Sequence, residues 1–193
     1  MRSAVIHLEG VSPLIMHRWS EKALKTLEDS QTGKAKGQRT PKVPEEEAMA
    51  AAYVVPGQED ADNAPGKFYF PAPALKHSFL YGCSQLDDIK NFPKSRATGW
   101  VFIDRDPILG FDEVVMRTDV GRNPTQMVYR LMFNGWSADL DITYNANTIT
   151  LEQIAALFDL GGTGGVGEWR PTSPKNKSGD HGRFRVAGVT EVR

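Results

Sequence analysis

Five of the seven residues from Gly161 to Gly167 are glycine. Glycine has more backbone freedom to lose on folding than any other residue, so a run this dense needs compensating contacts. Those contacts could go to a phosphate, a nucleotide, a nucleic-acid strand or the fold itself. The stretch Gly162-Thr163-Gly164-Gly165-Val166-Gly167 matches G-x-G-x-x-G. A dinucleotide site requires a strand before that motif and a helix after it. A helical pattern precedes it here, and Pro171 and Pro174 follow closely, so the dinucleotide reading is set aside. A phosphate-binding P-loop ends in Gly-Lys-Ser/Thr. Glu168 and Trp169 follow Gly167, which rules it out. A helix C-cap needs one glycine, and Gly161 alone would serve. It leaves unexplained Trp169, Arg170, Lys175, Lys177, His181, Arg183 and Arg185, which come next. Glycine lets backbone approach a ligand closely. Lys and Arg neutralise phosphates, and Trp or His stack on bases. A purely structural turn and a single-strand platform both stay open on this pattern.

Around this loop the hydrophobic pattern orders the chain. Ala4 to Gly10 alternates like a strand. Residues 18–29 read as a helix capped by Ser20, with Leu24 and Leu27 on its apolar face. Residues 30–42 carry Lys34, Lys36, Arg39 and Lys42 with no acidic residue, as expected of an exposed basic loop. Pro44 and three glutamates open a helix over 44–54. Residues 67–70 read as a short strand. Pro73 opens a helix to Ser84 with Leu75, Phe79 and Cys83 buried. Trp100 to Asp104 and Val114 to Arg117 read as strands. Asn134-Gly135 predicts a hairpin joining strands at 127–133 and 138–144, the second with Leu140, Ile142 and Tyr144 on its buried face. Thr150 with Gln153 forms a capping box for a helix that ends at the glycines. A last strand lies within 183–192. Without its insertions the order is strand, helix, strand, strand, helix, strand. That predicts an α+β fold with a ferredoxin-like, RRM-type βαββαβ core. The chain reads as one domain over 1–193, with a basic helical insertion at 17–55 and a β-hairpin insertion at 105–135.

Several classes are excluded or disfavoured. One cysteine, Cys83, rules out an internal disulfide framework and a multi-cysteine zinc site. His7, His17, His77 and His181 are scattered without metal-ligand spacing. No apolar run approaches the roughly 18 residues of a membrane span, and the amino-terminal residues alternate like a strand rather than a secretory core. These features predict a soluble cytoplasmic protein without cofactor or metal. The formal net charge is −1, so attraction to nucleic acid must come from local patches. No acid, base and nucleophile assemble in the sequence. Asp29 is the only carboxylate adjoining the basic loop, so an endoribonuclease stands as an alternative and a non-enzyme is the main expectation. In the segment Ser12 to Trp19, apolar Leu14-Ile15-Met16 adjoins His17, Arg18 and Trp19. It reads either as a passage from core to surface or as a basic aromatic edge beside the sheet.

Three stretches carry a family resemblance: GVSPLIMH (Gly10 to His17), FYFPAPALKHSFLYG (Phe68 to Gly82) and the loop ending in GRFRV (182–186). The chain resembles the RAMP superfamily, RRM-like proteins that form the crRNA-binding backbone of CRISPR effector complexes. Pro71, Ala74, Leu75 and Lys76 match that family's segment opening the first core helix, with His77 in place of its glycine. Gly179, Gly182, Arg183 and Val186 match its glycine-rich loop. Pro13 to Ala23 and Gly165 to Pro171 are more closely similar to segments of a group of phage and prophage proteins. The resemblance implies single-stranded nucleic-acid binding, RNA before single-stranded DNA, in the cytoplasm of a bacterial host cell. It also implies side-by-side assembly of copies into a filament, with other effector or phage proteins as further partners. No aspartate matches the catalytic aspartate of target-cleaving members. Lys34, Lys36, Arg39 and Lys42 would contact phosphates from a thumb-like loop. Arg18, Lys76, Arg170, Lys175, Lys177, His181, Arg183 and Arg185 would line the groove. Trp169 would stack, and Gly161, Gly162, Gly164, Gly165 and Gly167 would let the strand approach. A phage inhibitor that mimics a backbone subunit, and a phage structural subunit, are the rival binding readings.

Overall fold

The computed structural model describes residues 1–33, 41, 43–85, 97–120, 127–173 and 179–192. Lys34, Lys36, Arg39, Lys42, Lys175 and Lys177 lie outside the described residues. The fold is α+β with antiparallel sheets.

Strand β1 (Arg2–Gly10) is the centre of the larger sheet. It pairs antiparallel with β7 (Ser137–Tyr144) on one side and with β8 (Phe184–Val192) on the other. The far edge of β7 takes β3 (Val101–Ile103) and the short β4 (Leu109–Gly110). The strand order is therefore β3-β7-β1-β8. Alternation decides the faces. Ala4, Ile6 and Leu8 of β1 and Ala138, Leu140, Ile142 and Tyr144 of β7 are buried, while their neighbours in sequence face outward.

Helices α3 (Ala72–Ser84) and α4 (Leu151–Gly164) pack against each other and contribute to the same core. Local signals start both. Pro71 precedes α3 with Pro73 in its first turn. Thr150 Oγ1 accepts from Gln153 N at 3.3 Å while Gln153 Oε1 accepts from Thr150 N at 3.0 Å, the reciprocal capping box. Phe79 and Phe158 meet across the two helices at 4.9 Å between ring centroids. Such a pair stabilises by about 0.5–1.5 kcal/mol beyond its buried area.

A second sheet has the order β2-β6-β5, with β2 at Leu14–Ile15, β5 at Glu113–Val120 and β6 at Met127–Asn134. Phe133 of β6 joins Phe68 and Phe111 in an aromatic cluster with centroids 5.0–6.0 Å apart. Here the hairpin expectation is corrected. Residues 127–134 pair with 113–120, whereas 137–144 belong to the other sheet. Gly135, at φ +59°, turns the chain from one sheet to the other, with Trp136 buried beyond it. An Asn-Gly pair specifies a tight turn; it does not specify that the flanking strands pair. The segment 67–70 forms only single bridges, Val54 to Phe68 and Tyr69 to Ile108.

The 17–55 region contains α1 (Glu21–Gln31) and α2 (Pro44–Ala50). Ser20 caps α1 by accepting from Ala23 N at 3.3 Å. Leu24 and Leu27 are not buried, however, but 50% and 44% exposed. An amphipathic period places leucines on one face, and only the fold decides whether anything covers that face.

Candidate functional site

The glycine run is not one loop. Helix α4 continues through Gly164, so Gly161, Gly162 and Gly164 are helical and buried, a correction to the expected stop at Gly161. A glycine inside a helix costs about 1 kcal/mol relative to alanine. Tertiary contact offsets that cost. A Cβ on Gly161 would strike Ser78 O of α3, and one on Gly82 of α3 would strike Leu157 O of α4. A Cβ on Gly162 would strike Phe184 O of β8. The two helices and the last strand therefore touch backbone to backbone.

Beyond the helix, Gly165 (φ +69°) and Gly167 (φ +79°) turn the chain back. Hydrogen bonds then tie Glu168, Gly182 and Arg183 to residues 12–15. Glu168 N donates to Ile15 O at 2.9 Å, Gly182 N to Pro13 O at 2.7 Å, and Arg183 N to Ser12 Oγ at 2.9 Å. Leu14, Ile15 and Met16 are fully buried while His17, Arg18 and Trp19 are exposed, a passage from core to surface.

A pocket of about 460 Å³ opens between α3 and this glycine turn. Ala74, His77, Ser78, Tyr81 and Ser84 line it from α3, and Gly165, Val166, Gly167, Arg170 and Thr172 from the turn. Arg170 NH1 donates to Gly167 O at 2.8 Å, and Thr172 Oγ1 to Gly164 O at 2.8 Å. Each holds the turn in shape. Among the described residues no carboxylate belongs to the lining.

Beside the pocket lies a polar cluster built on β5 and β6. Arg117 pairs with Asp119 at 2.8 Å, stands over the Trp169 ring at 5.6 Å, and donates from NH1 to His181 Nε2 at 3.0 Å. A guanidinium only donates, so Nε2 accepts and the proton of the neutral ring sits on Nδ1. Nδ1 is buried without a partner. Desolvation, followed by the Arg117 charge, holds His181 below the usual histidine range. Trp169 is the only non-glycine residue with positive φ among the described residues, at +60°. Its backbone carbonyl accepts from His181 N at 3.2 Å. A bulky side chain in that region is strained and persists only where its surroundings over-determine it. Glu168 bonds Arg130 Nε at 3.1 Å and lies 3.4 Å from His17 Nδ1.

Other expected groove residues lie elsewhere. Lys76 Nζ donates to Val101 O and, at 3.3 Å, to Thr98 O, with the Phe79 ring at 5.3 Å. Burial holds its ammonium below the usual lysine range. Lys76 thus ties α3 to the start of β3. Arg185 is on the outer face of the larger sheet, paired with Glu9 at 2.8 Å. Arg183 Nε reaches Asp180 O at 3.4 Å. Asp29 lies within α1.

The outer face of the larger sheet holds a second pocket of about 590 Å³, lined by Arg105, Ile108 and three carboxylates, Asp106, Asp139 and Asp141, among others. His7 Nδ1 donates to Asp139 at 2.7 Å, Arg105 pairs with Asp141, and Thr143 Oγ1 donates to Asp104 at 2.9 Å.

The α3 wall of the first pocket escaped the sequence reading. Ala74, Ser78 and Tyr81 recur at helical spacing, but the opposite wall is some ninety residues away in the chain. Among the described residues no group of three His, Cys, Asp or Glu side chains could hold a metal ion, and no helix is long and apolar enough to cross a membrane. No family model matches the chain, and no curated protein matches it.

Proposed function

We propose that this chain is a non-catalytic, sequence-independent single-stranded nucleic-acid-binding protein, preferring RNA, that holds its ligand along the side formed by α3, residues 165–173 and residues 179–183. One observation carries the reading. Among the described residues, the pocket on that side is lined by Arg170, His77, Tyr81 and hydroxyls with no carboxylate, whereas the pocket on the outer sheet face carries three. A polyanion is repelled by the second and accepted by the first. Trp169, held at positive φ under Arg117, supplies an aromatic surface next to it.

The fold supports the reading by analogy. The order β3-β7-β1-β8, with α3 between β1 and β3 and α4 between β7 and β8, is the arrangement expected of a ferredoxin-like βαββαβ core. The two segments most similar to the phage proteins, residues 13–23 and 165–171, lie side by side through the Glu168 to Ile15 bond. Both support RAMP-like membership and a role as a repeating subunit of a nucleoprotein filament in the bacterial cytoplasm. An RRM binds RNA by stacking bases on aromatics of its open sheet face. Here that face bears cross-strand ion pairs instead, so the proposal places the ligand on the other side.

The test is fluorescence anisotropy with labelled single-stranded RNA, single-stranded DNA and duplex DNA of equal length across a salt series. The expected result is preference for single strands, with log K falling against log salt by roughly 0.7 per phosphate engaged. Salt-insensitive binding, or none, overturns the proposal.

A further inference from the structure

We infer that two copies of this chain join through their β5 edges, with the strands antiparallel about a two-fold axis at Val115. This goes beyond the strand-binding reading and does not rest on it. Strand β5 ends the second sheet, and among the described residues nothing pairs with its far side. An uncovered row of amides and carbonyls is a template for another strand, so folds blunt their sheet edges. The other edges of this molecule are blunted. β2 and β4 have two residues each and β3 has three. On β8, Val186 N donates to Asp159 Oδ1 of α4 at 2.9 Å, and a bulge interrupts the register with β1. β5 runs eight residues in unbroken register with β6 and holds no proline, glycine or lysine.

The side chains select a second copy and one register. Two-fold symmetry sets each residue of the strand opposite another residue of the same strand. About Val115, Glu113 lies opposite Arg117 of the other copy, twice over. Val114 lies opposite Met116, also twice, and Val115 meets itself. Within its own chain Glu113 accepts from Asn134 Nδ2 at 2.9 Å, a neutral amide, and among the described residues no cation pairs with it. Met116 is 42% exposed, so the pairing covers apolar surface that the single copy leaves in water. An axis at Met116 sets Glu113 against Asp119, and an axis at Arg117 sets that guanidinium against itself. Like charges directly opposite destabilise a strand pair. An axis at Thr118 matches Arg117 with Asp119, but these two already pair within one strand at 2.8 Å, so that axis answers no unpaired charge.

The experiment is sedimentation of the full chain without nucleic acid across a concentration series, with Glu113→Lys beside the unaltered protein. The expected result is a monomer–dimer equilibrium with Kd on the order of 100 µM, as for a small transient interface. Glu113→Lys should weaken it by about tenfold, because both ion pairs become repulsions. In parallel, Val115→Cys and Thr118→Cys are treated with a short thiol cross-linker; the native Cys83 is buried. Val115→Cys should yield cross-linked dimers and Thr118→Cys should not, since only the residue on the axis faces its own copy within about 5 Å. A monomer at every concentration overturns the inference, as does failure of Val115→Cys to cross-link. So does a dimer that Glu113→Lys leaves unchanged or that Thr118→Cys captures better. Neither measurement contains a nucleic-acid strand, so its failure leaves the strand-binding reading standing.

Discussion

The outer face of the larger sheet and the side built from α3, residues 165–173 and residues 179–183 hold their charged residues differently. On the sheet face, register sets positive and negative side chains opposite each other: His7 against Asp139, Arg185 against Glu9. In both pairs the charge is answered by a neighbour. On the other side, Arg170 is held by a backbone carbonyl, Gly167 O, while Arg117 and Arg130 pair with Asp119 and Glu168 and Arg117 also meets His181 and Trp169. A strand pair offers its partner a side chain, whereas a tight glycine turn offers carbonyls. The first arrangement sets carboxylates around its pocket; the second holds Arg170 beside a pocket whose described lining carries no carboxylate.

The largest expected effect tests whether backbone contact holds the pocket side together. Gly82→Ala should cost on the order of 3 kcal/mol and lower Tm by about 10 °C, because its Cβ meets Leu157 O, which no rotamer change relieves. A melt within about 2 °C of the parent would show that α3 and α4 can separate freely.

Next in size, Arg170→Ala should weaken single-strand binding several-fold and reduce the salt slope by about 0.7, one phosphate contact. An unchanged slope would take Arg170 off the interface.

A smaller effect concerns His181. Its folded-state pKa is lowered, so the unfolded chain binds the proton more readily. Stability from the neutral ring is complete above the unfolded value near 6.5 and is lost as pH falls through the depressed folded value. Thermal melts from about pH 8 to about pH 5 should show Tm dropping on the acid side, and His181→Gln should flatten that drop. Parallel curves for the two proteins would contradict the assignment of the proton.

The smallest effect is expected on the sheet face. Arg185→Ala removes an ion pair whose side chains are 66% and 50% exposed, so stability should change by no more than about 0.5 kcal/mol. Nucleic-acid affinity should not change. A loss as large as that of Arg170→Ala would erase the contrast between the two faces.

Local features were legible before any tertiary information. Ser20 and Thr150 mark their helix starts because a short side-chain oxygen satisfies an amide three residues on. The buried set of β7 follows from strict alternation. The pocket was half legible. Arg170, Gly165 and Gly167 stand out in the sequence, but Ser78 and Tyr81 look like ordinary helix residues until the turn closes over them. The setting of Lys76 is hidden in the sequence for a related reason: the carbonyls that hold it, at Thr98 and Val101, are more than twenty residues away.

By itself the sequence determined where helices begin, which strand residues face inward, and that the run after Leu160 demands contact with something. Each depends on spacing within a few residues, where the chain's own geometry is the only reference. Tertiary structure alone decided what that contact is: the backbones of Ser78 and Phe184 for Gly161 and Gly162. It also decided that 127–134 pairs with 113–120 rather than 137–144, and that Leu24 and Leu27 stay exposed. Those outcomes depend on which distant surfaces meet, and a missing side chain records only that something comes close.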